Sequence, residues 1–164
     1  MSTRTCVRVL VPALMLATGL LHAAEHPIQV TDPVAFATPP GAPTAAVFLA
    51  LHNRAATADR LVGASTPAAG RIEIHTMHMT DGVMRMRPVD GVDIPAGGSA
   101  VLQRGGQHLM LLELPGPLVA GTRLELTLRF QHAPPLQLGV PVLPRLGTPP
   151  ATPAAGASHM DPHP

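Results

Sequence analysis

The chain runs to 164 residues, with 11 basic side chains against 10 acidic ones and only 2% aromatic residues. So even a charge leaves no positive field for nucleic acid, and three phenylalanines without Trp or Tyr make no stacking platform for single strands. A single cysteine rules out a disulfide framework within the chain, so the fold must hold by packing.

In chain order, residues 1–24 read first as an export signal. Arg4 and Arg8 precede the apolar run Val9 to Ala17, and the small residues Ala23-Ala24 close it, the arrangement of a secretory signal for export into an oxidising compartment. The run is too short and too punctuated for a membrane span. Cys6 stands near the start of the apolar run, not at its end where a lipid-anchor cysteine would lie, and is expected to leave with the signal. Removing 1–24 leaves 140 residues, enough for one domain with a real core, and nine arginines against ten acids give a net charge of −1.

From there the pattern is of short strands with turn residues between them. Residues 45–51 form an apolar strand, 60–64 a short one, and 71–75 and 83–87 alternate cleanly on either side of an Asp81-Gly82 turn. His75 is expected to end its strand ahead of a 77–81 connection, and Pro88 to end the next. Residues 108–114, 122–130 and 136–142 complete the set, with turns at Ala96-Gly97-Gly98 and Gly105-Gly106. Many short strands without an amphipathic helix argue for an all-β sandwich over residues 25–143. Beyond it, residues 144–164 read as a flexible, partly polyproline tail that carries His159, Met160 and His163.

The chemistry is concentrated in two residue types. Five of the eight methionines fall between 77 and 110, interleaved with His75, His78 and His108. Imidazole and thioether without thiolate suit a soft copper ion that is held and later released. His108 and Met110 leave one face of a strand, as do Met84 and Met86, with Arg85 and Arg87 on the opposite face. If these faces turn inward, the same methionines are core gap-fillers. Met77, His78 and Met79 read as surroundings or access residues, and Met84 as core or surroundings.

The spacing His75, ten residues, Met86, twenty-one residues, His108-Leu109-Met110 resembles the signature of the periplasmic copper chaperone family PCu(A)C, also called DUF461. Gly82-Val83-Met84-Arg85-Met86-Arg87-Pro88, Pro95-Ala96-Gly97-Gly98 and Gly105-Gly106-Gln107-His108-Leu109-Met110 carry the likeness, which covers about residues 27–143. The resemblance implies a cupredoxin-like Greek-key β-sandwich. It implies Cu(I) ligands His75, Met86, His108 and Met110, and a role in supplying the dinuclear copper centre of cytochrome c oxidase. The partner would be the oxidase subunit bearing that centre, or a thiol-containing assembly protein. Thr76, where glutamate is usual, Val34 and Phe36, where tryptophan and arginine are common, and Leu112, where methionine is frequent, depart from the pattern.

Two neutral imidazoles and two thioethers would leave a singly charged Cu(I) site, weakened below about pH 6 as the histidines protonate. His159, Met160 and His163 are candidates for an auxiliary Cu(II) site. No nucleophile–base arrangement or phosphate loop suggests an enzyme, and the chain is expected to be a monomer that binds no nucleic acid. A blue-copper electron carrier would need a cysteine ligand that the mature chain lacks. The competing readings are a periplasmic copper buffer or resistance protein, and a metal-free scaffolding sandwich.

Overall fold

The computed structural model describes residues 25–80 and 82–145, so the export signal, Cys6 and the tail with His159, Met160 and His163 lie outside the described residues. Ten strands follow in chain order: β1 (Ile28–Phe36), β2 (Thr44–Asn53), β3 (Asp59–Ser65), β4 (Arg71–Thr80), β5 (Val83–Val89), β6 (Val92–Ile94), β7 (Ser99–Leu102), β8 (His108–Leu112), β9 (Arg123–Phe130) and β10 (Leu136–Leu143). One sheet runs β5-β4-β8-β2-β1, with β7 also paired to β2; the other runs β10-β9-β3-β6. A short parallel pairing of β1 with β10, at Ala35–Val142 and Phe36–Leu143, joins the two. Every other ladder is antiparallel, the pattern of a cupredoxin-like sandwich with one side of each sheet turned inward.

Period-two alternation decides which side is which. In β2 the odd residues Ala45, Val47, Leu49 and Leu51 are buried, while the even residues between them are only partly covered. Ile74 of β4, Leu109 and Leu111 of β8, and Leu124, Leu126 and Leu128 of β9 complete the aliphatic interior. Phe130 is the one phenylalanine in that core. Phe36 and Phe48 instead pack against each other, with ring centres 6.3 Å apart, among the partly covered residues of their strands.

Four local expectations need correction. β4 does not stop at His75 but continues to Thr80, because Met77, Met79 and Thr80 pair with Met86, Met84 and Val83 across the hairpin. β5 runs through Pro88 to Val89; it is the edge strand of its sheet, where a residue without an N–H costs no ladder bond. β8 ends at Leu112, just before Glu113 turns to φ 59°. Three strands were not anticipated. β1 is masked in sequence by Asp32-Pro33, where Asp32 sits at φ 51° and the register with β2 shifts, and β6 and β7 are only three and four residues long.

Candidate metal centre

Alternation on three neighbouring strands builds the centre. Ile72 and Ile74 of β4 and Leu109 and Leu111 of β8 anchor the inward side, so Glu73, His75 and Met77, together with His108 and Met110, take the outer side. Register then sets the neighbours. His75 stands opposite His108, Glu73 opposite Met110, Met77 opposite Met86 and Met79 opposite Met84. On the far side of β8, Met110 faces Ala46 of β2, whose small side chain lines the same groove. The groove is walled by Met77, Met86, His108 and Met110, with Phe48 and Arg104 at its other edge.

His108 is 4% exposed. Its Nδ1–H donates to the Gly106 carbonyl at 3.1 Å, which leaves the lone pair on Nε2. The same carbonyl accepts the Met77 backbone N–H at 3.2 Å, so one peptide group ties the end of β8 to β4 where their ladder stops. That carbonyl is held in place by a tight turn in which the Gly106 N–H bonds the Gln103 carbonyl and Gly105 adopts φ 77°. Phe48 lies beside His108 with ring centres 6.0 Å apart, and the Arg104 guanidinium covers Phe36 at 4.5 Å.

His75 meets His108 edge-on, ring centres 6.0 Å apart. Two imidazoles on one ion with metal–nitrogen bonds of about 2 Å place their centres about 5–6 Å apart, so this pair is spaced to share one. His75 Nε2 is bonded to Glu73 Oε2 at 2.8 Å, while its Nδ1 is buried without a partner. The hydrogen bond from His75 holds the Glu73 carboxyl below the usual carboxylate range; partial burial works against this, and the Arg71 guanidinium adds to it.

The structure thus brings His75, Met86, His108 and Met110 to one outward face, and adds Met77 to them. Met84, expected in the core or around the site, is 45% exposed beside Met79 at 58%, further out along the hairpin. His78 is exposed and alternates to the opposite side of β4, where Arg85 pairs with it and Arg87 pairs with Thr76. His26 and His52 are spent elsewhere: His26 accepts the Ile28 N–H on Nδ1 and donates from Nε2 to the Pro134 carbonyl, and His52 bonds the Thr31 and Ser99 hydroxyls. Among the described residues no three of His, Cys, Asp and Glu gather at one point, so an ion held here would take its further donors from thioethers. Sequence reasoning missed Glu73, the Gly106 carbonyl and the Phe48–Arg104 edge. Only Glu73 carried a signal, two residues from His75 in an alternating strand.

Residues 28–142 match the family described as "Putative lipoprotein LpqE-like". A relative called "Putative lipoprotein Lxx21020", from Leifsonia xyli subsp. xyli (strain CTCB07), is 31% identical over 151 residues, 86% of this chain and 91% of the relative. Among solved structures, apo-DR1885 from Deinococcus radiodurans is 28% identical with TM-score 0.58, covering 89% of this chain and 98% of its own. CuI-DR1885 is 31% identical with TM-score 0.56, over 74% of this chain and 83% of its own. The copper-bound PCuAC domain from PmoF2, at 21% identity, shares the fold with TM-score 0.62, over 73% of this chain and 94% of that domain. The sheet architecture is the one these PCuAC domains share. The chain belongs to the LpqE-like family.

Proposed function

We propose that this protein is an exported copper carrier. It holds Cu(I) on the outer face of β4, β5 and β8, through His75, Met86, His108 and Met110, and gives it up for assembly of the dinuclear copper centre of cytochrome c oxidase. The observation that carries the reading is the groove lined by the His108 imidazole and the thioethers of Met77, Met86 and Met110, with the His75 ring, one nitrogen of it unpartnered, set edge-on against His108. Relatives support it: CuI-DR1885 carries copper(I) in its name and is 31% identical.

The chemistry suits carriage. Four neutral donors leave no stranded anion when the ion departs, and thioethers favour the reduced ion. Met86, 46% exposed on the edge strand, is the donor that an incoming thiolate of a partner can displace first. We read the protein as a carrier without catalytic chemistry of its own. The periplasm is the proposed location, from the signal-like residues 1–24 and from relatives named as lipoproteins.

Titration of the mature protein with Cu(I) and Cu(II), with and without residues 144–164, tests the site. One tight Cu(I) site that survives truncation is expected, and loss of Cu(II) binding on truncation would assign an auxiliary site to the tail. Transfer to the oxidase copper subunit or to its thiol-bearing assembly protein tests delivery. A protein that binds Cu(I) but transfers none, with oxidase activity intact in a deletion strain, is a copper buffer.

A further inference from the structure

We infer that His75 binds its ion through Nδ1, and that Glu73, flanked by Arg71, is the positioning residue that enforces this choice. The inference rests on the copper reading of this face and adds which atom coordinates and what sets it.

The two histidines are opposite each other in the ladder, yet their hydrogen bonds select different nitrogens. In His108 the Gly106 carbonyl takes the proton on Nδ1, leaving Nε2 as the donor atom. In His75 it is Nε2 that lies 2.8 Å from a carboxylate oxygen, and a carboxylate can only accept, so the proton resides on Nε2 and the lone pair on Nδ1. That Nδ1 is the one buried side-chain nitrogen or oxygen among the described residues without a hydrogen-bond partner. A buried lone pair without a donor is a cost to the fold that an ion at this atom would remove.

Glu73 is held from its other side. Its Oε1 lies 3.6 Å from Arg71 Nε, and that guanidinium is also 3.5 Å from Glu113 Oε1. Arg71, Glu73 and His75 alternate onto the same side of β4, so the series of contacts follows from strand geometry. A carboxylate on the far nitrogen of a metal-binding imidazole orients the ring and raises its basicity, and losing such a partner lowers metal affinity about 10–100-fold.

The test uses the mature protein with ¹⁵N-labelled histidine, titrated with Cu(I) under reducing conditions and read by long-range ¹H–¹⁵N correlation. Copper should move the Nδ1 resonance of His75 while its Nε2 keeps the proton, and should move Nε2 of His108. Glu73→Ala should lower Cu(I) affinity about 10–100-fold and mix the His75 tautomers. Glu73→Gln, which retains an accepting oxygen, should keep the Nδ1 pattern and stay within about tenfold of the parent. Metallation of His75 at Nε2 overturns the inference, as does a Glu73→Ala protein that binds Cu(I) like the parent. If His108 responds and His75 does not, the inference falls while the copper site stands. If neither histidine responds, the copper reading falls and the inference with it.

Discussion

Two regions of the molecule each hold a small group of polar side chains, and they treat them in opposite ways. At the start of β3, Asp59 is buried and completely used. Its Oδ1 accepts the backbone N–H groups of Arg60 at 2.7 Å and His132 at 3.0 Å, and its Oδ2 that of Ala133 at 2.8 Å. Nearby, Asn53 donates to the carbonyls of Thr57 and Ile94 and accepts from Ala55. On the outer face of β4 and β8, by contrast, His75 is fixed on one nitrogen and left open on the other. A fully satisfied buried group locks a loop; a half-satisfied one leaves bonding capacity for something that comes and goes.

Substitutions can separate the two regions. The largest effect should come from Met110→Leu and His108→Ala. Leucine keeps the volume of Met110 at a cost of less than about 1.5 kcal/mol, so the fold should persist. Losing a donor atom outright should exceed the roughly 100-fold ceiling seen for outer partners, so Cu(I) affinity should fall by more than about 100-fold in either variant. A competition titration against a Cu(I) chelator reads this, and Met110→Leu protein with parental affinity would remove Met110 from the ligand set.

Next in size, Asp59→Asn should behave in the reverse way. It turns one accepting oxygen into an amide that faces the N–H of Ala133, or those of Arg60 and His132 if it flips. A loss of about 2–3 kcal/mol in urea unfolding is expected, with copper stoichiometry unchanged. The pH dependence follows from the same contacts. Burial raises the Asp59 pKa, but the three backbone N–H groups outweigh it, so the folded value lies below the ordinary one. A depressed carboxylate contributes stability that is fully present above about pH 4 and is lost as pH falls through the folded value. Unfolding midpoints followed from pH 6 to pH 2 should show this decline in the parent and a shallower one in Asp59→Asn. Parallel curves would mean that Asp59 is not the group responsible.

A smaller, mixed effect is expected where structure and site share a support. Gly105 stands at φ 77° in the turn that presents the Gly106 carbonyl. Open space surrounds the position a Cβ would take, so Gly105→Ala meets no clash and only backbone strain. That strain is about 1–2 kcal/mol. Stability should drop by that amount, and Cu(I) affinity should fall with it as the hold on His108 loosens. Loss of stability with unchanged affinity would show that the carbonyl does not set the imidazole.

These regions were unequally legible in the sequence. Alternation in residues 71–75 and 83–87 and the run His108-Leu109-Met110 placed the ligand candidates on strand faces, because period two depends on nothing beyond the strand itself. Which side faced outward was not legible. It is decided by Ile74, Leu109 and Leu111 packing against residues far away in the chain. The extension of β4 to Thr80 was hidden for a related reason: Met77-His78-Met79 has no strong strand preference and is held by pairing with β5. Asp59, a lone acid beside a short strand, gave no sign that the loop at His132 and Ala133 would close over it.

The smallest predicted effect draws the inner boundary of the site. Met79 and Met84 form a cross-strand pair one step beyond Met77 and Met86, and both are exposed. If the centre is built by the groove, this outer pair adds little to equilibrium binding. Met79→Leu and Met84→Leu should change Cu(I) affinity by no more than about twofold, the scale of ordinary surface substitutions near 0.5 kcal/mol. Their effect should instead be kinetic, because thioethers on the exposed hairpin are the first soft donors an approaching ion or partner thiolate meets. Stopped-flow transfer to a thiol acceptor distinguishes the two possibilities. A slowed transfer with unchanged affinity makes the pair an approach route, whereas a large loss of affinity would extend the site along the hairpin and displace the groove as its centre.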